Sequence, residues 1–174
     1  EMALRTIDHA LGEHAQIETI YLGGGTPSQL TSQQLFRLFE GISQHYGSNL
    51  AENMEVTMEC NPDDITPSFC HTLSQLSINR ISMGAQTFSD NRLRFLHRRH
   101  TAQEVEKAIR LLREAGISNI SIDLMFGFPD ETIQEWRQDI EHAISLNVEH
   151  LSAYSLMYEG GTVLYHMLQQ EKVK

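Results

Sequence analysis

Apolar and polar positions along the chain alternate between two periods. Five short apolar runs rich in β-branched residues recur: Glu18 to Leu22, Met54 to Cys60, Asn79 to Gly84, Asn119 to Phe126 and Glu149 to Leu156. Each has the length and composition of a buried strand. Between them lie amphipathic stretches at helical spacing: Leu35, Leu38, Phe39, Ile42 and Tyr46, then Val105, Ala108, Ile109, Leu112 and Ala115, then Ile133, Trp136, Ile140 and Ile144. These predict crossover helices. The opening residues, with Met2, Leu4, Ile7 and Leu11 apolar, also read as helix.

Helix starts carry their own signals. Thr31 with Gln34 and Thr101 with Glu104 fit the capping box, and Pro67 after Thr66 fits a first-turn proline. Strands alternating with helices predict an α/β fold of parallel strands joined by right-handed crossovers. Periodicity alone leaves a doubly wound sheet and a (βα) barrel both open. In either one, ligands gather beyond the C-terminal ends of the strands. That rule selects Gly23 to Ser28, Glu59 to Pro62, Gly84 to Phe88, Asp123 to Pro129 and Tyr154 to Glu159.

Bulk composition narrows the function. A chain of 174 residues, 40% of them hydrophobic, supports one compact domain or a piece of a larger one. The formal charge of −10 with scattered Lys and Arg makes nucleic acid a poor partner. No apolar run reaches the length of a membrane span and no secretory signal opens the chain, so a cytoplasmic location is expected. Only two cysteines are present, Cys60 and Cys70, too far apart in sequence for a CxxC or CxxxCxxC ligand set, so no metal site is expected.

Gly23, Gly24 and Gly25, followed by Thr26 and Pro27, give a backbone that can approach a ligand closely and present its own N–H and C=O groups. The run lacks the Lys of a phosphate-binding P-loop and the spacing of a dinucleotide fingerprint. A tight strand-to-helix turn, or a barrel that uses it for phosphate, are the competing readings. Glu59, Gln86, Arg98 and Asp123 come from different strand ends and suit a zwitterion together with a ribose diol. His97 and His100 flank Arg98 and Arg99 at a spacing that could share one helical face, but two guanidinium groups beside a divalent cation favour anion recognition there. Tyr154, Met157 and Tyr158 either line a ligand wall or pack in the core.

In order, YLGGGTPS, MECNPDD, RISMGAQTF, LHRRH, DLMFGFPDET and HLSAYSL with EGGT resemble the oxygen-independent coproporphyrinogen III oxidase family of radical S-adenosylmethionine enzymes, from about Tyr21 to Thr162. The GGGTPS, ECNP and GAQTF segments look closer to its heme chaperone, HemW-like branch. The resemblance implies a partial (βα)6 barrel in which residues 1 to 174 supply the second to sixth strands. The first strand, and the CxxxCxxC loop that holds the family's 4Fe-4S cluster, have no counterpart here. The family cleaves S-adenosylmethionine reductively to a 5′-deoxyadenosyl radical that takes hydrogen from a porphyrinogen propionate. This chain alone is therefore expected to be inactive, with no catalytic residue of its own.

Carried over by position, the resemblance implies that Gly24, Gly25 and Thr26 hold the methionine moiety with Glu59 beside them. Arg98 would meet the carboxylate, Gln86 and Asp123 would lie near the ribose, and the backbone around Met157 would pass the adenine. S-adenosylmethionine and a porphyrinogen or heme are the implied partners. The family has Gly before this Arg where the chain has His97, which narrows the backbone conformations open there. An absent first strand leaves an exposed strand edge, which predicts self-association.

Overall fold

The computed structural model describes residues 16–157, 160–161 and 163–170. The helix expected over the opening residues, and Tyr158, lie outside them. Five strands form one parallel sheet: β1 (Ile17–Leu22), β2 (Leu50–Cys60), β3 (Arg80–Gln86), β4 (Asn119–Phe126) and β5 (His150–Ser155). The helices are α1 (Ser32–Tyr46), α2 (Pro67–Ser74), α3 (Asp90–Phe95), α4 (Ala102–Glu114), α5 (Ile133–Ser145) and α6 (Val163–Gln169).

Strand order decides between the two architectures the sequence left open. The strands lie side by side as β1-β2-β3-β4-β5, without the reversal that defines a doubly wound sheet. When every crossover is right-handed and steps in one direction, all the helices fall on one face, and the twisted sheet curls toward the other. The result is a half-barrel.

Period-2 alternation then sorts the side chains. Val56, Met58 and Cys60, then Ile81, Met83 and Ala85, then Ile120, Ile122 and Leu124 are buried in one core with Leu35, Leu73, Val105, Ala108, Leu112 and Ala143 from the helices. The intervening residues, Tyr21, Thr57, Glu59, Ser82, Ser121, Asp123, Ser152 and Tyr154, face the concave side. Backbone register sets them in rows, Tyr21 beside Thr57, Glu59 beside Ser82, and Asp123 beside Ser152.

Local chemistry fixes the helix ends. Both expected capping boxes form, at Thr31 with Gln34 and Thr101 with Glu104. A third, Thr132 with Glu135, starts α5. Pro67 takes the first turn of α2 as the sequence predicts, and Thr66 caps it by accepting from the Phe69 N–H. Gly116, at φ 87, ends α4 where the Ile117 N–H reaches back to the Leu112 carbonyl.

Strand boundaries differ from expectation at several ends, as where β3 runs on to Gln86. β2 begins earlier, at Leu50, which pairs with Ile17 ahead of an irregularity before the register resumes at Thr19 and Glu55. Glu149 stays outside β5: its carboxylate receives Arg113 Nη2 at 2.8 Å and the Ile120 N–H at 2.9 Å, tying α4 to the start of β4.

Candidate functional site

A cleft of about 200 Å3 opens at the C-terminal ends of the strands. Gly25, Thr26, Glu59, Gln86, Arg98 and Asp123 line it together with Asn61, Ser82 and Gly84. Six of the seven residues singled out in the sequence therefore share one wall. Gly24 joins them through its N–H, which donates to Glu59 Oε2 at 3.2 Å.

The glycine turn after β1 needs glycine for its backbone angles. Gly24 and Gly25 hold φ 79 and 64, left-handed values that L side chains avoid. Glu59, at the end of β2, bridges this turn to the strand, because its Oε1 accepts from the Tyr21 hydroxyl at 2.9 Å. Burial, with Glu59 beside it, raises the Tyr21 phenol above its usual range, so Tyr21 stays protonated and donates.

Gln86 enters the cleft from a strained corner. Its φ is 69, and the Thr87 N–H closes a three-residue turn on the Ala85 carbonyl at 2.9 Å. Such turns are costly for a residue with a side chain and persist only when their surroundings hold them. Two buried groups do so. His100 Nε2 donates to the Ala85 carbonyl at 3.1 Å. Asp139, on α5, accepts from Thr87 Oγ1 at 2.6 Å and from the Phe88 N–H at 3.1 Å.

The sequence reading missed both braces. Asp139 could have been found as the one carboxylate three residues after Trp136 on the apolar stripe of α5. His100 and His97 do not share a helical face, since α3 ends at Phe95 and the histidines fall in the turn that follows. His97 is exposed while His100 is 3% exposed, and burial lowers the imidazole below its ordinary range, with the Arg98 charge adding to this. His100 is therefore neutral, with its proton on Nε2.

Arg98 leaves the surface and lies across the cleft floor. Its Nη2 donates to Asn61 Oδ1 at 2.8 Å and to the Gly84 carbonyl at 3.0 Å. Arg99, by contrast, is exposed and pairs with Asp63 at 2.8 Å. On β4, Asp123 accepts from Ser82 Oγ at 3.3 Å. Burial raises the Asp123 carboxyl above the usual range; the Glu59 charge adds to this, while Ser152 and Ser82 donors offset part of it. Tyr154 donates its hydroxyl to Gln86 Oε1, which turns the Gln86 amide nitrogen toward Gly84. Met157 is largely exposed.

Along the strand ends the cleft presents the glycine turn after β1, the Glu59 carboxylate on β2, the Arg98 guanidinium and the Gln86 amide together beside Gly84 on β3, and the Asp123 carboxylate on β4. This suits a ligand that carries an amino-acid zwitterion at one end and a hydroxylated sugar at the other. A metal cluster does not fit these residues. Cys60 and Cys70 are free thiols in the helix-side core, Cys60 pushed strongly toward the protonated form by burial. No group of three or more His, Cys, Asp or Glu is placed to hold a metal ion among the described residues. None of the described helices is long and apolar enough to cross a membrane.

Residues 1–143 match the family model for the radical SAM superfamily. The chain belongs to that superfamily, whose cofactors are S-adenosylmethionine and a 4Fe-4S cluster. Within it, the chain is 38% identical over 157 residues to the heme chaperone HemW of Bacillus subtilis (strain 168), covering 90% of this chain and 41% of that protein. HemW of Escherichia coli (strain K12) is 36% identical over 156 residues, again 90% of this chain and 41% of the relative. Among solved structures, coproporphyrinogen III oxidase (HemN) from Escherichia coli, a radical SAM enzyme, superposes with a TM-score of 0.74 at 25% identity, over 91% of this chain and 35% of that one. The chain thus spans about two fifths of the length of the HemW relatives it matches.

Proposed function

We propose that this chain is the S-adenosylmethionine-binding core of a longer radical enzyme of the coproporphyrinogen III oxidase type, acting in porphyrin or heme metabolism. The observation that carries the reading is the convergence of residues from separate strand ends on one cleft that combines glycine-turn amides, a guanidinium, an amide and two carboxylates. Backbone amides of Gly24, Gly25 and Thr26 surround the amino-acid part of the ligand, with Glu59 taking its ammonium group. The planar fork of Arg98 takes the carboxylate. Gln86 and Asp123 take the ribose hydroxyls.

Radical chemistry itself is supplied by the bound cofactors of the superfamily. This chain's part is to orient the ligand along the cleft and keep its ends apart. Calorimetric titration with S-adenosylmethionine tests the reading. Binding by the wild-type chain that weakens about tenfold or more in Asp123→Ala supports it. Equal affinity in both proteins would remove Asp123 from the site.

A second reading, a heme chaperone that delivers heme to partner proteins, is favoured by the higher identity to HemW, 38% against 25% for the oxidase. A Soret shift on adding heme to the chain supports it; an unshifted Soret band counts against heme binding by this core.

A further inference from the structure

We infer that Asp64 is the positioning residue for Arg98, acting through the side-chain amide of Asn61. The inference rests on the reading that Arg98 receives the ligand carboxylate.

Asp64 lies in the single turn Pro62–Asp64 after β2, outside the set of residues that line the cleft. Its side chain is 9% exposed, and each carboxylate oxygen has two donors. Oδ2 accepts from Ser28 Oγ at 2.5 Å and from Asn61 Nδ2 at 3.3 Å. Oδ1 accepts from Gln29 Nε2 and from Arg99 Nη2 at 3.3 Å. A carboxylate offers about four lone-pair sites, and here all are used. The donors come from three separate segments: the turn after β1, the turn after β2, and the link between α3 and α4. One half-buried carboxylate therefore fastens together three segments around the cleft.

The consequence reaches Arg98 through a polarity argument. An Asn amide has one accepting end and one donating end, nearly identical in shape. Asn61 donates from Nδ2 to Asp64 and accepts at Oδ1 from Arg98, at 2.8 Å. Turned over, the amide would set N–H groups against the guanidinium and a carbonyl against the carboxylate. Asp64 excludes that arrangement from one side, and so keeps a carbonyl beneath Arg98. Ser28 reinforces the geometry, since its hydroxyl oxygen also accepts from the Asn61 N–H at 3.3 Å. Burial opposes ionisation of Asp64, but the donors from Ser28, Gln29 and Asn61 and the Arg99 charge outweigh it and hold the carboxyl below its ordinary range.

The branch Asp64–Asn61–Arg98 reaches the cleft through the Arg98 guanidinium, whose hydrogen bonds go to Asn61 and the Gly84 carbonyl and not to Gln86 or Asp123. A general structural role would impair recognition of the amino-acid and nucleoside parts of the ligand equally, which gives the test. Wild type, Asp64→Asn, Arg98→Ala and the double variant are titrated with S-adenosylmethionine and with 5′-methylthioadenosine, which keeps the nucleoside and lacks the amino acid. Asp64→Asn is expected to weaken S-adenosylmethionine about tenfold and to leave methylthioadenosine unchanged, with the double variant no weaker than Arg98→Ala. Equal losses for both ligands, or no loss for either, overturn the inference. If Arg98→Ala leaves S-adenosylmethionine affinity unchanged, the assignment of the carboxylate to Arg98 fails first and takes this inference with it.

A ligand-free measurement stands beside these titrations. Nitrogen-detected NMR of the Arg98 guanidinium should show hindered rotation in wild type and averaged signals in Asp64→Asn. An Arg98 spectrum identical in the two proteins overturns the inference even where the titrations cannot be read.

Discussion

Arg98 rests on the backbone of Gly84, with its Nη2 3.0 Å from the carbonyl oxygen. A Cβ added at Gly84 would sit 2.9 Å from Gln86 Nε2 and 3.2 Å from Arg98 Nη2. Glycine is required here for room rather than for an unusual backbone angle. Gly84→Ala should therefore displace two cleft residues at once and lower S-adenosylmethionine affinity by about tenfold or more, with a small change in melting temperature. Unchanged affinity in a titration would show that neither side chain needs its present position.

Asp123 is held in a place that favours its neutral form. A carboxyl whose folded pKa lies above its unfolded value adds stability below the unfolded pKa, and that contribution is lost as pH rises through the folded one. At neutral pH the ionised Asp123 therefore costs stability. Asp123→Asn should raise the melting temperature by a few degrees at pH 7, and the gain should shrink toward zero as the pH falls below the carboxylate range. Thermal scans from pH 3 to 8 check this; a gain independent of pH would mean that burial does not govern this carboxyl.

His97 occupies φ 55, in the region where a side chain crowds the backbone. The left-handed conformation costs about 1–2 kcal/mol, and glycine gives back roughly 0.5–1 kcal/mol through the entropy of the unfolded chain. His97→Gly should stabilise the protein by about 0.5–1 kcal/mol in urea unfolding. Any destabilisation would mean that the exposed imidazole makes a contact worth more than the strain.

Most of this fold was legible in the chain because strand and helix periods are local. The runs ending at Leu22, Cys60 and Phe126, and the threonine caps at Thr31 and Thr101, depend on neighbours a few residues away. Strand order was not legible, because a doubly wound sheet and a half-barrel share the same local patterns. The site was legible in part for the same reason. Residues just beyond strand ends, such as Glu59 and Asp123, follow from topology, whereas Asp64, His100 and Asp139 act across distances of 15 to 52 residues in the chain that no local pattern encodes. α3 is too short, at six residues, to show a period.

β1 and β5 form the two ends of the strand order, each paired on one side only among the described residues. Unpaired parallel edges invite pairing with another chain. Sedimentation velocity should show a concentration-dependent rise in mass, and a single monomer boundary at all concentrations would show that both edges are protected.

The alternation along β2, β3 and β4 has a further reach. Each strand carries two messages, one in its odd and one in its even residues: Met58 and Ile122 hold the protein together, while Glu59 and Asp123, one step along, line the cleft. Such a sheet can have its cleft reshaped by rewriting every second residue while the apolar face that builds the core keeps its sequence.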